Sequence, residues 1–482
     1  MQTIEFEALD YCADQTFTPA RYRFDGDLQQ GWEVRRDGEL VLTLGRGYRL
    51  LRTRQCGVCS TDLARHHLPF PLPQVTGHEV LAVDEAGRKY VVEINASHVA
   101  RGVASDCPFC DEALPTHCPE RLTLGIHDLP GGFGPWILAP EAACLEIPAH
   151  VPDSAAVLVE PFAAALHTVH MIAPRAGDVV AVLGPRRLGM LVVAALAGVR
   201  ARATDARETF DVAAVARDPA MLTLARAFGA TTTASNAKDA PPVADGAFDV
   251  VVDTTGNPAA LADAVRLARR EVHLKSTHGR EACGLHHLTE LVVDELAISR
   301  FDQRRPDADV ARWLRARAPH PARVAWLAAA EPPTWLTDEA DVRRGTAPDL
   351  AAEFATRTGG IPRADVAVVD SAQGVDAAIR PRDGSEESLI RPRGEILVHP
   401  EADVSSSALL GAVVQRDLRL SSSRCGDFKE ALDLIAGDRD LQRIGERLVT
   451  HHFDSRDLRE AFEVASSRAC IKAVVTHAED EA

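Results

Sequence analysis

From Pro152 onward, short and strongly apolar runs alternate with longer stretches whose apolar residues recur at helical spacing. The apolar runs lie at 179–183, 212–215, 250–253 and 272–275. Strands separated by helical stretches of about ten to fifteen residues indicate βαβ units, which build a parallel sheet covered by helices on both faces. This alternation predicts an α/β fold for this part of the chain.

The chain before Pro152 has a different pattern. Between Gly31 and Pro148, short β-rich runs such as 39–44 are punctuated by Gly, Pro and Cys. The last segment, 428–477, reads as two helices and a strand, which could complete a domain that begins elsewhere. At roughly 150 residues per domain, the length of 482 residues corresponds to two or three domains.

An internal repeat adds a further element to this organisation. The segments 248–256, 270–274 and 291–300 are echoed in the same order by 364–372, 393–398 and 412–424. Residues of about 245–300 thus appear duplicated at 364–424. Between the copies, 301–363 is rich in Ala, Arg and Pro, with one strand-like run at 323–327 and one helix-like run at 349–355. The stretch between the copies could equally be a decayed insertion that carries no chemistry.

Charge and composition exclude several functional classes. The 70 Asp and Glu residues outnumber the 53 Lys and Arg residues, and the formal net charge of −17 argues against a protein that binds nucleic acid through its phosphates. Residues 1–12 lack the basic-then-apolar order of a signal peptide. The longest apolar stretch, 188–199, is shorter than the roughly 20 residues that span a bilayer. We expect a soluble cytoplasmic protein without a membrane or nucleic-acid partner.

Five of the ten cysteines form two tight clusters, at 56–59 and 107–118. In a reducing compartment, such clusters indicate metal binding or catalysis. A Cys-x-x-Cys motif is ambiguous alone, but Gly77-His-Glu follows the first cluster, and Glu160 begins a helix-like segment of small residues. A thiolate, an imidazole and a carboxylate are ligands of a catalytic zinc that keeps one position open. Such a zinc ion lets a bound alcohol lose its proton at low cost.

With these motifs, the chain resembles the zinc-dependent alcohol dehydrogenases of the medium-chain dehydrogenase/reductase family, and it is similar to the sorbitol and threonine dehydrogenase branch. The resemblance covers about residues 30–300 and 420–477. It implies a GroES-like catalytic domain followed by a Rossmann domain with a doubly wound parallel sheet. The domains expected are a GroES-like domain over 1–155 completed by 425–482, a Rossmann domain over 156–300, and an insertion over 301–424 with a duplicated half-Rossmann segment.

The resemblance also implies roles for individual residues of the first cluster. Cys59 and His78 match zinc ligands, and Glu160 matches the third ligand. Glu79 matches a glutamate that displaces the zinc-bound water, and Thr61 matches the hydroxyl that relays the substrate proton.

Three further positions near the first cluster have weaker assignments. Asp62 matches a carboxylate that orients a ligand. Cys56 matches no ligand and is expected to be a packed thiol. Ala64 stands where some members have a relay histidine, and His66 and His67 lie close by as less favoured substitutes.

The second cluster has the spacing of a structural zinc lobe that lacks its first ligand. Cys107, Cys110 and Cys118 match the last three cysteines of that lobe, and Ala104 occupies the first position. A structural zinc needs four ligands. The fourth could come from a substitute, for which His98, Asp106 and His117 are candidates, or the three cysteines could remain thiols.

The segment 179–189 predicts a strand, a tight turn and a helix that would hold a dinucleotide pyrophosphate at the helix N-terminus. Gly184 and Gly189 keep the first and last glycines of G-x-G-x-x-G, but Arg186 replaces the middle one. Arg186 could crowd the phosphates or neutralise them. An ordinary turn with two solvated arginines is the alternative.

The end of the second strand of this fold sets the choice between NAD and NADP. Ala216 stands where NAD enzymes usually have an acid that binds the ribose, and Arg217 follows it. This pair favours NADP(H) over NAD(H), although a slip by one residue would put Asp218 on the ribose. Lys472 matches a basic residue that reaches the cofactor phosphates, or it is a solvated charge.

Together, these assignments predict a zinc-dependent oxidoreductase that interconverts a small alcohol and an aldehyde or ketone with NADP(H) or NAD(H). A zinc-free reductase of activated double bonds and a catalytically retired scaffold are the alternatives. The protein could be a monomer or a homodimer. The second copy at 412–420 could cover the sheet edge through which members of this family usually dimerise.

Overall fold

The structure is a computed structural model that describes residues 1–68, 70–203, 205, 209–276, 279–302, 321–385 and 387–478. Residue contacts divide the chain into two units. Met1–Ala164 and Cys425–Ala482 form the first, called here the β-rich unit, and Ala165–Arg424 forms the second, the α/β unit. In the described part of the chain, no helix has the length and hydropathy needed to cross a membrane.

The described strands follow in chain order. They are β1 (Gln2–Tyr11), β2 (Phe17–Asp27), β3 (Gly31–Arg36), β4 (Glu39–Leu44), β5 (Tyr48–Gly57), β6 (Glu79–Val83), β7 (Lys89–Val92), β8 (Asn95–Ala96), β9 (Leu122–Leu124), β10 (Asp128–Leu129), β11 (Trp136–Pro140), β12 (Cys144–Glu146), β13 (Val179–Leu183), β14 (Asp211–Ala216), β15 (Thr232–Ser235), β16 (Phe248–Asp253), β17 (Ala268–Leu274), β18 (Ala297–Arg300), β19 (Arg323–Trp326), β20 (Asp341–Arg344), β21 (Ala364–Ser371), β22 (Ile390–Asp403), β23 (Arg419–Ser422), β24 (Val449–Asp454) and β25 (Lys472–Thr476).

The described α-helices are labelled in the same way. They are α1 (Ser60–Leu63), α2 (His98–Arg101), α3 (Pro108–Asp111), α4 (Asp153–Ala156), α5 (Val159–Ile172), α6 (Arg187–Ala201), α7 (Pro219–Ala227), α8 (Pro258–Leu267), α9 (Leu288–Val293), α10 (Thr334–Glu339), α11 (Ala347–Ala355), α12 (Ala372–Ile379), α13 (Ala408–Arg416), α14 (Phe428–Ala436), α15 (Ile444–Leu448) and α16 (Leu458–Ser466). Short 3-10 turns lie at Arg65–His67, Pro115–His117, Glu141–Ala143, Leu441–Arg443 and Ser455–Asp457.

The β-rich unit contains three sheets. The first four strands form an antiparallel meander, β8 to β10 form a small sheet, and the largest sheet has the order β12-β7-β6-β5-β25-β24 with β11 also paired to β5. The C-terminal strand β25 runs antiparallel to β5, with Val475 opposite Cys56. The end of the chain therefore completes a sheet that begins near residue 48.

The C-terminal segment holds more structure than the sequence predicts. In place of two helices and a strand, 428–476 forms three α-helices and two strands. The additional strand β24 lies at the edge of its sheet, and its residues alternate between half-buried and exposed over most of its length. A short and partly polar edge strand of this kind gives only a weak pattern in the sequence.

The α/β unit is built on one sheet of eleven strands in the order β15-β14-β13-β16-β17-β23-β18-β22-β21-β19-β20. Every described pair of neighbours is parallel except β18 and β23, which are antiparallel. The four predicted apolar runs form β13, β14, β16 and β17. Val182, Val215 and Val251 in these strands are fully buried, as both faces of a parallel sheet are covered. The predicted α/β class is confirmed.

The helices of this sheet start where the sequence places helix caps. Asp218 and Asn257 each precede a proline, and their side chains accept hydrogen bonds from the backbone N–H groups of Ala220 and Ala259. A short polar cap followed by proline at the first helical position favours helix initiation. These caps fix where α7 and α8 begin, and so where the preceding strands end.

The stretch between the two copies of the repeat belongs to the same sheet. Its strand-like run forms β19 and its helix-like run forms α11, while β20 is a strand that the sequence did not predict. Residues 303–320 lie outside the described residues. Part of this segment is built into the sheet, because β19 is hydrogen-bonded on both sides, to β20 and to β21.

Candidate active site and metal centres

The first cysteine cluster and the Gly77-His-Glu segment meet in the β-rich unit. Cys59 caps α1 just after β5, and His78 directly precedes β6, which pairs antiparallel with β5. One ligand atom each of Cys59, His78 and Glu79 lies within 4.8 Å of the other two. Zinc takes sulfur, nitrogen and oxygen ligands at about 2.0–2.3 Å, so atoms at these separations can share one ion. The donor set and its spacing fit zinc.

The carboxylate of Asp62 contacts several residues of this cluster. Its carboxylate accepts hydrogen bonds from the backbone N–H groups of Cys59, at 2.9 Å, and Gly77, at 3.2 Å. Asp62 Oδ1 also lies 3.3 Å from His78 Nδ1. Burial alone would lower the pKa of His78, but the Asp62 carboxylate and the Cys59 thiol raise it well above its usual value. Asp62 therefore lies where it can orient the His78 ring within the cluster.

Glu79 and Lys472 form a buried ion pair beside the cluster. Both side chains are buried, and Lys472 Nζ also donates a hydrogen bond to the carbonyl oxygen of Val58 at 3.1 Å. Burial opposes the charge of Lys472, yet Glu79 and Cys59 raise its pKa above the usual value. A Cβ on Gly57 would lie 2.1 Å from Glu79 Oε2, so a glycine is needed opposite this carboxylate.

These contacts do not support the predicted role of Lys472 in binding cofactor phosphates. Its ammonium group is occupied inside the β-rich unit by Glu79 and Val58. The alternative of a solvated charge is wrong, since Lys472 is only 4% exposed. The sequence did not indicate the pairing of Lys472 with Glu79, because β25 and β5 are far apart in the chain and become neighbours only in the folded structure.

Glu160 lies in the first turn of α5 and outside the group of three. Burial raises its pKa to about 7, while the charges of His78 and Lys472 lower it and Glu79 raises it. Glu160 is therefore within electrostatic range of the cluster, although Glu79 holds the position closest to Cys59 and His78.

Thr61, the predicted proton relay, lies at the cluster, since its hydroxyl oxygen is 3.7 Å from Cys59 Sγ. Cys56 is fully buried, stands outside the metal group, and has a pKa raised by burial. This placement is that of a packed thiol. His66 lies 3.3 Å from the hydroxyl of Tyr11 through Nδ1, a contact from β1 that the sequence did not indicate.

The second cysteine cluster gathers four potential ligands from His98, Cys107, Cys110 and Cys118. His98 Nδ1 lies 3.3 Å from Cys118 Sγ and 3.7 Å from Cys110 Sγ, and the Sγ atoms of Cys107 and Cys118 are 4.0 Å apart. Burial and the two other thiols raise the pKa of Cys110 to about 11. Three thiols and one imidazole at these distances match a structural zinc site.

His98 takes the place of the cysteine missing at Ala104. It lies on α2, whose N-cap Ser97 accepts a hydrogen bond from Ala100 N, and its Nε2 is 3.1 Å from Glu120. A carboxylate on the distal nitrogen is the usual support of a zinc-bound histidine. The other two candidates, Asp106 and His117, are not part of the group.

The predicted dinucleotide turn lies between β13 and α6 in the α/β unit. Gly184 has φ +76°, and a Cβ there would lie 2.3 Å from Thr255 Cγ2. A Cβ on Gly189 would meet Thr254 Oγ1 at 2.6 Å. Both glycines are thus required by the close approach of the loop after β16. Arg186 directly precedes α6.

The prediction of the cofactor depends on where β14 ends, and this strand ends at the residue that the sequence predicts. Strand β14 ends at Ala216, and Arg217 is exposed. The carboxylate of Asp218 accepts a hydrogen bond from Ala220 N at 2.9 Å and caps α7. Asp218 therefore already has a structural role.

Comparison with known proteins agrees with this arrangement. A family model described as the alcohol dehydrogenase GroES-like domain matches residues 45–149. L-threonine 3-dehydrogenase of Aeromonas salmonicida is 26% identical over 242 residues, which cover 46% of this chain and 67% of that protein. These similarities support a zinc-type medium-chain dehydrogenase/reductase.

Two solved structures share the fold of this chain. One, from Escherichia coli CFT073, is described as the short chain alcohol dehydrogenase rspB complexed with NADH and is 16% identical. The other, from Sinorhizobium meliloti 1021, is described as a zinc-binding dehydrogenase bound to NADP and is 17% identical. Each has a TM-score of 0.54 and covers 98% of this chain and 99% of its own. The GroES-like and Rossmann-type architecture is confirmed.

The comparisons also bear on the functional class of the chain. The relatives include threonine and sorbitol dehydrogenases, and they support zinc-type alcohol oxidoreductase activity. No finding favours the zinc-free reductase or the retired scaffold.

Proposed function

We propose that the first cluster holds a catalytic zinc ion and that the chain interconverts an alcohol with an aldehyde or ketone by hydride exchange with a nicotinamide dinucleotide. The observation that carries this proposal is the convergence of Cys59, His78 and Glu79 within 4.8 Å. What zinc supplies in such a site is Lewis acidity, which lowers the pKa of a hydroxyl.

We assign the zinc ligands from the charges of the side chains around the cluster. Two negative charges neutralise Zn²⁺, and the thiolate of Cys59 is one of them. Glu79 is already balanced by Lys472. The second charge is therefore assigned to Glu160, whose carboxyl group lies within electrostatic range of His78 and Glu79. Cys59, His78 and Glu160 would hold the metal, and Glu79 would exchange between the metal and Lys472.

Thr61 moves the substrate proton in this scheme. Its hydroxyl lies 3.7 Å from Cys59 Sγ, so it would be close to a substrate oxygen bound beside that sulfur. A bound nicotinamide would accept the hydride from the alcohol carbon, and Thr61 would take up the hydroxyl proton and release its own proton toward water. Asp62 holds Cys59 and His78 in place during this exchange.

The α/β unit would bind the cofactor at the turn that begins at Gly184, with the pyrophosphate at the N-terminus of α6. A preference for NADP(H) over NAD(H) rests on the end of β14. Ala216 leaves space, exposed Arg217 supplies a positive charge for a 2′-phosphate, and Asp218 is engaged as a helix cap. Arg186 adds a second guanidinium beside the phosphates.

The three thiols of the second cluster and His98 would hold a second, structural zinc ion. The chemistry needs a small-molecule alcohol or carbonyl substrate. A cytoplasmic location stays a prediction, supported by ten cysteines that are all free thiols.

The decisive experiment for the reaction is an assay of NADPH and NADH oxidation against a panel of aldehydes and ketones, with zinc measured on the same preparation. We expect oxidation with at least one carbonyl substrate, faster with NADPH than with NADH. A protein that contains zinc but binds neither nucleotide would contradict the proposal.

A further inference from the structure

The centre of the eleven-stranded sheet contains an exchange of strands between the two copies of the repeat. In each copy, a strand is followed by a helix and a second strand. The first copy supplies β17, α9 and β18, and the second supplies β22, α13 and β23. Yet β17 pairs in parallel with β23, and β22 pairs in parallel with β18. Each copy therefore gives its last strand to the other.

The exchanged strands meet at equivalent residues. Strands β18 and β23 are antiparallel, and Ile298 lies opposite Leu420. These two residues occupy the same position in the two copies, and both are fully buried. Glu295 and Asp417, three residues before them, both have positive φ, at 53° and 57°. A pair of equivalent residues facing each other is the signature of a two-fold axis.

Side-chain contacts repeat on both sides of this axis. Glu271 of β17 accepts a hydrogen bond from Ser421 of β23 at 2.5 Å. Glu395 of β22 accepts one from Ser299 of β18 at 2.6 Å. Ser421 and Ser299 each follow the residue on the axis. The two halves of the sheet are therefore related as two subunits are in a symmetric dimer.

The repeat extends to the first strand of each half, beyond what the sequence suggests. Asp249 of β16 accepts a hydrogen bond at 2.8 Å from the backbone N–H of Val179, the first residue of β13. Asp365 of β21 accepts one at 2.8 Å from the N–H of Arg323, the first residue of β19. Strand β19 is thus the counterpart of β13, and the second half is a second nucleotide-binding-type sheet rather than a half segment.

The second half lacks the features that bind a dinucleotide. The turn after β19 reads Leu327-Ala-Ala-Ala-Glu-Pro332 and contains no glycine. Its Ala329 N–H donates to the carboxylate of Asp370 at 2.7 Å, and Glu331 forms an ion pair with Arg344 at the end of β20. Two acidic groups at this turn oppose a phosphate. The turn after β19 is therefore not of the dinucleotide-binding type.

We infer that the second half is a built-in partner subunit and that the chain works as a monomer. An exposed sheet edge invites pairing with another chain. In this chain β18 pairs with β23, so the edge that β23 would otherwise expose is covered by β18 and the strands that follow it in the sheet. The two outer strands, β15 and β20, have four residues each, with Thr, Ser, Asp and Arg among them. Short and polar strands resist further pairing.

Light scattering on the full-length chain over a wide range of concentration tests this inference. We expect 51.9 kDa throughout. A stable species of twice this mass would overturn the inference.

Oxidation of the double variant I298C/L420C provides a second test. Opposed residues of an antiparallel pair have Cβ atoms about 4.5–5.5 Å apart, close to disulfide distance. We expect a disulfide within one chain and no covalent dimer on a non-reducing gel, with I298C alone as the matched control. A covalent dimer that forms in the double variant, but neither in I298C nor in the wild type with its ten native thiols, would mean that the axis lies between chains.

Discussion

His98 Nδ1 lies 3.3 Å from Cys118 Sγ, and this contact completes a four-ligand group in which the sequence offers only three cysteines. The histidine comes from α2, six residues before the empty cysteine position at Ala104. A histidine at a different position would thus supply the fourth ligand in place of the missing cysteine.

The variant H98A is expected to lose the second metal ion. Three thiolates do not saturate a structural zinc, and apparent binding free energies of about 10–16 kcal/mol in small zinc domains depend on the full ligand set. Zinc content should fall from two ions per chain to one, with a lower unfolding temperature, whereas H117A keeps both ions. Equal zinc content in the two variants would contradict the assignment of His98.

Loss of Lys472 should leave an unpaired charge in the core. In K472M, Glu79 stays buried without its partner, and breaking a buried pair in this way costs about 3–5 kcal/mol. The free energy of unfolding in urea measures this loss. The exposed pair of Lys429 and Asp433 is the control, and K429M should change stability by less than about 0.5 kcal/mol. The double variant K472M/E79Q should regain part of the loss.

Asp253 should make the protein less stable at high pH. Its side chain is fully buried at the end of β16, and burial raises its pKa to about 6, while the backbone and side chain of Thr255 lower it. The folded state therefore resists ionisation more than the unfolded chain does. The stabilising contribution is complete below pH about 4 and is lost as the pH rises through about 6, by at most about 3 kcal/mol.

Comparison of the wild type with D253N at pH 5 and pH 8 measures this effect. The variant should be the more stable protein at pH 8, and the difference should shrink at pH 5. The control D249N has the opposite sign, because Arg269 and the backbone N–H of Val179 hold the pKa of Asp249 below its usual value despite its burial. Identical pH profiles for D253N and the wild type would refute the buried-acid account.

Reversal of the charge at Arg217 should change the cofactor preference. A hydrogen bond to a charged group contributes about 1.5–3 kcal/mol, so R217D should reduce the ratio of NADPH to NADH efficiency by about tenfold or more. The control is R266D, which makes the same charge change on α8. Arg266 is paired with Asp245, and its replacement should leave the ratio unchanged. Initial rates with the two nucleotides give both ratios. An unaltered ratio in R217D would remove the NADP argument.

Local patterns were enough to predict the fold class and the metal-ligand types. The apolar runs that form β13 and β16 are buried on both faces, and burial of this kind leaves an unmistakable sequence signal. Cys59 and His78 carry a thiol and an imidazole, which are common zinc ligands. Their meeting depends on the pairing of β5 with β6, which connects segments only about twenty residues apart.

Long-range contacts set the limit of that prediction. Lys472 and Glu79 are almost 400 residues apart in the chain, and no local signal announces their ion pair. The sequence did not predict the exchange of β18 and β23 either. A repeat shows that two segments are alike, but it does not show which strands pair with each other. His98 could be proposed only as one of three candidates, since its place depends on how α2 and the loop to Cys118 pack.

The most direct test of the proposed metal site is zinc content and carbonyl reduction in C59A beside C56A. The two thiols are three residues apart, but only Cys59 belongs to the metal group. C59A should contain one zinc ion per chain instead of two and should lose at least about a hundredfold in rate, as expected when an interaction of about 3 kcal/mol is removed from the transition state. C56A should keep both ions and most of its activity. Full activity in C59A, or equal losses in the two variants, would contradict a mechanism based on this metal.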